Sequence, residues 1–196
     1  MEADWEFEVG GGAPVIETDW PGFVDLRLAP ERIDEIPEAV AFAPLASLLL
    51  ALNGPDSSLW TAKCDIWQPE AGETVSPPPP SPPGEVRRTA LACYVDILPR
   101  EGRVFRESEQ AGALCADWVA RLAALPLPGC RVDLVIRMAV AGELDGFAIT
   151  AYLSAEGREL ASEKSAAATA LAASLTAFSQ TIPHGAASQT TASKLQ

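Results

Sequence analysis

Hydrophobic and polar residues alternate near the start of the chain: in DWEFEV, Trp5, Phe7 and Val9 fall on one side and Asp4, Glu6 and Glu8 on the other. That period of two is the pattern of a half-buried strand. Its outer face is a row of carboxylates, which suits a sheet edge, where charge discourages aberrant pairing. Gly10 to Gly12 permit a turn, but no GK[ST] follows and Pro14 interrupts any helix start, so this run is not a phosphate loop. After a second short strand around 14–18, the alternation in GFVDLRL predicts a strand over 22–28.

The period then changes. Leu45, Leu48, Leu49 and Leu52 recur at helical spacing within 37–53, and Asn53-Gly54-Pro55 supplies a stop. In LWTAKCDIW, 59–67, alternation returns, with Trp60, Ala62, Cys64 and Ile66 toward the core and Thr61, Lys63, Asp65 and Trp67 away from it. Residues 89–98 read as a strand, and 106–125 as a helix with Leu114, Cys115, Trp118, Val119 and Leu122 on its inner stripe. Two strands, 131–140 and 147–155, flank AGELDG, whose glycines and Asp145 suit a hairpin turn. A last helix over 162–180 carries Ala168, Leu171, Leu175 and Phe178 inward, with Ser162 or Ser165 as its cap.

These elements predict an α+β fold: a mainly antiparallel sheet with about three helices, in a single domain over 1–182 followed by a flexible tail, 183–196. Between Glu70 and Gly84 the composition turns to SPPPPSPPGE, which makes neither ladder nor helix and favours an extended spacer. Its functional alternative is a ligand for SH3-like or WW-like grooves. The halves 22–67 and 93–140 also resemble each other. Phe23, Val24, Asp25 and Leu26 match Tyr94, Val95, Asp96 and Ile97 at an offset of 71, and the helical stripes match at 70. Two β-α-β units joined by a proline-rich loop would give a duplicated, ferredoxin-like sheet with extra N-terminal strands. Strand–helix–strand is also a common order, so duplication and chance similarity both stay open.

Composition narrows the function classes. A chain of 196 residues with 48% hydrophobic content can bury a sizeable core, and no run approaches the roughly 18 apolar residues of a membrane span. The opening MEADWEFEV has no basic, apolar leader pattern, and the terminal SKL is followed by Gln196. Cys64, Cys93, Cys115 and Cys130 are widely spaced, without CxxC, and each lies in an apolar segment. They read as buried thiols in a cytoplasmic protein. The alanine-rich, arginine-over-lysine composition suits a bacterial chain. With 14 basic and 27 acidic residues, net −13, the chain is a poor match for nucleic acid. The acidity is uneven: residues 1–38 hold 11 acids and two bases, net −9, whereas 85–137 hold eight arginines and seven acids, net +1. The first segment can therefore dock on the second or face a basic partner protein, or simply form a solvated face.

Catalytic chemistry is thinly represented. His184 is the sole histidine and lies in the polar tail, which weakens every Ser-His-Asp, Cys-His or histidine-metal scheme. Asp25, Asp65, Asp96 and Asp133 could converge as an acid/base or metal site, but alternation turns Asp25 and Asp96 outward as ordinary residues of a one-sided sheet. Arg100, Arg103 and Arg106 form a cationic cluster for which pairing within the chain is the favoured reading. No catalytic residue, metal site or cofactor is assigned. The binding candidates are Asp4, Glu6 and Glu8 on the N-terminal strand and Lys63, Asp65 and Trp67 on the 59–67 strand, tryptophan beside charge being common at interaction hot spots. Two function classes follow. The favoured one is a non-catalytic protein-interaction module, an adaptor, inhibitor or assembly component, with a protein partner or self-association. The other is a small-ligand or histidine-independent enzymatic domain using outward carboxylates.

Overall fold

A computed structural model describes residues 1–8, 10, 14–18, 20–69, 88–158 and 166–182. The chain is α+β with a mostly antiparallel sheet. Its elements are β1 (Glu2–Phe7), β2 (Ile16–Glu17), a 3-10 turn (Pro30–Glu35), α1 (Pro37–Ala41), α2 (Ala43–Asn53), β3 (Leu59–Trp67), β4 (Arg88–Pro99), α3 (Ser108–Ala123), β5 (Cys130–Ala141), β6 (Leu144–Arg158) and α4 (Ala166–Thr181). The strand order is β1-β5-β6-β4-β3, with β2 also on β5. β5, β6, β4 and β3 pair antiparallel, while β1 and β2 run parallel to β5 and together make one interrupted edge.

Helices α2, α3 and α4 cover one face. Leu45, Leu48, Leu49 and Leu52 of α2, Cys115, Trp118 and Leu122 of α3, and Leu171, Leu175 and Phe178 of α4 are buried with Val95, Ile97, Val132, Leu134, Ile149 and Leu153 of the sheet. The α2 and α3 stripes are those the periodicity predicts; in α4 the inner alanine is Ala167 rather than Ala168. The predicted 37–53 helix is interrupted at Phe42 (φ −140°, ψ 91°). Pro44 explains the break, since it has no N–H to donate to the Val40 carbonyl and its ring crowds that group. On β1 the period of two holds for the described residues. Trp5 lies against α3 at Gly112, where a Cβ would stand 3.4 Å from the indole, and Phe7 meets Phe147 with ring centroids 5.6 Å apart. The β5–β6 hairpin closes at Gly142, whose φ of +66° suits the first position of a two-residue turn.

The predicted strand over 22–28 is not formed, and this removes the first strand of the proposed duplication. Asp25 explains why. Its carboxylate accepts from the backbone N–H of Arg27, and its carbonyl accepts from the N–H groups of Leu28 and Ala29, so the segment closes on itself as a turn. The alternation in GFVDLRL has another use. Phe23 packs into the cluster on the sheet face opposite the helices, whereas Val24 and Leu26 pack into the helix-side core. Residues 14–18 and 20–28 therefore act as a strap that crosses one half of the open face and turns toward the helices. Beneath it Ala62, Ala139, Ala141 and Ala148 leave room for Ile16, Trp20 and Phe23 around Trp60 and Leu98. The proline-rich loop 70–84, the tail 183–196 and the caps Ser162 and Ser165 lie outside the described residues.

Candidate functional site

The half of the open face that the strap leaves uncovered carries the candidate site, and a β-bulge in β3 determines what lies on it. The β3–β4 register slips between Thr61 and Cys64. One extra residue reverses side-chain parity along a strand, so strict alternation through LWTAKCDIW fails. Trp60 and Ala62 face the strap, and Thr61 faces α2, where its hydroxyl accepts a bond from Asn53 Nδ2 at 2.7 Å. Past the bulge Cys64 and Ile66 pair with Val95 and Cys93 on the helix side, and Asp65 and Trp67 pair with Tyr94 and Ala92 on the open side. The expected partition is right for Cys64, Ile66, Asp65 and Trp67; Trp60 and Ala62 are buried as expected but beneath the strap rather than against the helices, and Thr61, expected outward, is buried on the helix side. Lys63 lies in the bulge, with Nζ 5.2 Å from the Trp20 ring centroid at the rim of the strap.

Five residues, one from each main strand, form a line across this half-face: Asp65, Tyr94, Tyr152, Asp133 and Asp4 are successive Cα partners from β3 to β1. The Tyr94 and Tyr152 rings are 5.9 Å apart, and Trp67 extends the aromatic run 6.3 Å from Tyr94. Burial, then Asp96 and Asp65, push the Tyr94 phenol up to about 12, so it remains a neutral hydroxyl. In the adjoining row β4 and β6 place only Ala92 and Ser154 between Trp67 and Arg131. These small side chains open a groove of about 540 Å³ that Tyr152, Pro69 and Glu156 also line. Its size is that of ordinary ligand and side-chain recognition sites.

The charges divide into paired and unpaired groups. Arg131 grips Asp133 with two bonds of 2.7 Å and reaches Glu2 at 3.4 Å, while Arg137 pairs with Glu8. These pairs tie β1 to β5, so the acidic N-terminal segment docks in part on the arginines of the later one. Glu8 is thereby taken up in holding the edge strand. Asp4, Glu6 and Asp65 are exposed and form no salt bridge among the described residues; Asp4 and Asp65 each accept only the backbone N–H of the following residue. On the other side of the row, Asp96 is 3% exposed and accepts a 2.6 Å bond from Thr150. Burial pushes its carboxyl above the ordinary range, against the opposing pull of the Thr150 bond, Lys63 and Arg137.

Several expected groups lie elsewhere. Asp25 is in the strap turn, bidentate to Arg27 at 2.8 and 2.6 Å, and that bond holds its carboxyl below the usual range. Arg27 in turn stacks 3.9 Å above Trp60. Arg100 finds carbonyls rather than acids: its Nη2 donates to Asn53 and Gly54 at 2.6 Å, capping the end of α2. Cys64, Cys93 and Cys115 are pushed up to about 12 by burial, and all four cysteines are free thiols. His184 lies outside the described residues, among which no group of three or more His, Cys, Asp or Glu side chains could hold a metal ion. Among them also, no helix is long and apolar enough to cross a membrane.

Tyr94, Tyr152 and Arg131 are the site residues that sequence reasoning missed. The parity that puts Asp96 on the open side puts Tyr94 there as well, so that tyrosine was within reach of the same argument; Asp96 itself is not the solvent-face residue expected but is buried against Thr150. Tyr152 needed the register of β6 on β4. No family model, curated protein or solved structure matches the chain.

Proposed function

We propose that the chain is a non-catalytic protein-interaction module, an adaptor, inhibitor or assembly component, which receives a partner protein on the half of its sheet that the strap leaves uncovered and along the acidic strand β1. The observation that carries this reading is the Trp67–Tyr94–Tyr152 row beside a groove of about 540 Å³, flanked by the unpaired carboxylates Asp65, Asp4 and Glu6. Rigid aromatic rings bordered by uncompensated charge suit recognition, because rings add contact area at little conformational cost and charge selects the partner. A second reading, a small-ligand or histidine-independent enzymatic domain, draws on the raised carboxyl of Asp96 near this groove. Asp96 does not line the groove, however, and is 3% exposed, which favours the first reading.

The test is affinity capture from the native cell together with solution mass, comparing wild type with Tyr152→Ser and with Asp4→Lys/Glu6→Lys. Glu2 and Glu8 are left intact because they hold β1 to β5. A stoichiometric protein partner lost in both variants supports the reading. A partner retained by both, or a monomer that carries only a metabolite, overturns it.

A further inference from the structure

The order of side chains along the five-residue line identifies the chemistry of the occupant. Two tyrosines occupy the middle, Asp133 is neutralised by Arg131, and carboxylates without a salt bridge among the described residues stand at the ends, Asp65 on β3 and Asp4 on β1, with Glu6 next to Asp4. Neighbouring strands lie about 4.8 Å apart, so four intervals separate the end carboxylates by roughly 19 Å. An extended chain advances about 3.3 Å per residue and covers that distance in about six residues. Tyrosine faces attract guanidinium and ammonium groups as well as flat apolar side chains. The overall charge of −13 adds a long-range field of the same sign.

We propose that the occupant is an extended segment of a partner protein carrying two basic side chains about six residues apart, laid across the strands with its ends on Asp65 and on Asp4 and Glu6. Its middle rests on Tyr94 and Tyr152, and an adjacent side chain enters the groove between Trp67 and Arg131. This proposal rests on the interaction reading above and specifies its partner. Asp133 adds little to the attraction, because Arg131 already satisfies both of its oxygens. The spacing therefore follows from the two ends of the line rather than from the total acidity.

The proposal is tested on the full chain with N-acetylated, C-amidated dodecapeptides of serine, threonine and valine that carry two arginines separated by two to nine positions. Binding is read as anisotropy of a labelled peptide, at low salt and at 0.5 M salt. Affinity is expected to peak at separations of five to seven and to fall about tenfold when both arginines become glutamine. Asp65→Asn and Asp4→Asn should each weaken the best peptide about two- to fivefold, as for exposed ion pairs, and Tyr94→Leu or Tyr152→Leu by a similar factor. Both carboxylates are exposed and both leucine variants keep an apolar side chain, with unchanged circular dichroism as the control. A flat dependence on spacing overturns the proposal, as does equal binding by the glutamine peptide, or spermidine binding that matches the peptide. If the captured partner is lost on Tyr152→Ser but no arginine peptide binds, the interaction face stands and its basic occupant is refuted. If the captured partner ignores every substitution on the face, the interaction reading itself fails. A concentration-dependent dimer broken by Tyr152→Ser would identify a second copy as the occupant and overturn the proposal in its present form.

Discussion

Asn53→Leu should destabilise the chain by about 4–5 kcal/mol, because one buried amide joins the helix layer to the bulged strand that presents the candidate site. Asn53 is the last residue of α2 and 4% exposed. Its Nδ2 donates to the Leu49 carbonyl at 2.8 Å and to Thr61 Oγ1 at 2.7 Å, and its Oδ1 accepts the Thr61 N–H at 3.2 Å. Leucine keeps the volume and removes all three bonds. At about 1 kcal/mol net per bond the direct loss is about 3 kcal/mol, and the stranded Thr61 N–H adds about 1–2 kcal/mol. Urea denaturation followed by tryptophan fluorescence measures the sum, with an unchanged slope expected if the fold is kept. Thr61→Val in the same background gives the coupling: the two losses should fall short of additive by about 1 kcal/mol, since both remove the bond to Oγ1. A single-mutant loss below about 1 kcal/mol would refute this account of how α2 holds β3. Because Thr61 immediately precedes the bulge, the variant should also speed hydrogen exchange in β3 more than in β6.

Three further outcomes follow from the same structure. Asp96 holds its proton more tightly folded than unfolded, so its contribution to stability should fall as pH rises from the ordinary carboxylate value through the raised one, then level off; Asp96→Asn should remove that contribution and gain on wild type at pH 7 relative to pH 3, and a difference independent of pH between urea midpoints would contradict it. Cys64, Cys93 and Cys115, held near 12, should have only about one thiolate in ten thousand at pH 8 and resist iodoacetamide until unfolded; rapid labelling of the native chain, seen by mass spectrometry, would show those sites to be open. Gly146→Ala places a Cβ 2.4 Å from the Phe105 carbonyl oxygen and 2.7 Å from Val104, and should cost about 1–3 kcal/mol. Gly10→Ala meets nothing within 4 Å and serves as the control, with a urea midpoint close to wild type.

Much of the α+β layout was legible because long amphipathic segments have few ways to bury one side. The leucine stripe of α2, the Trp118 stripe of α3 and the 59–67, 89–98, 131–140 and 147–155 strands all form at or near their expected bounds. GFVDLRL misled because its alternation matched a strand while Asp25 offered the backbone a closer set of partners. The same error made the duplication look stronger than it is, since the match at 22–28 joined a turn to a true strand. At the candidate site, Asp65, Trp67, Asp4 and Glu6 were found from parity, and Lys63 lies beside them at the edge of the strap. Parity could not find the alanine floor or the strap above it, because both depend on which strands become neighbours.

Taken alone, the sequence determined which segments become helices and most strands, that most of the thiols are buried, and that strong acidity concentrates at the N-terminal edge. These are local or compositional properties, decided by the period of apolar residues and the count of charges. Only the tertiary structure decided that residues 14–18 and 20–28 cover half of the open face, that a bulge between Thr61 and Cys64 reverses the strand, and that Asp65, Tyr94, Tyr152, Asp133 and Asp4 form one line. Each depends on register between segments up to 129 residues apart in pairing, such as Glu2 with Arg131. A one-residue slip moves every side chain to the other face, and no single segment carries the information that prevents it.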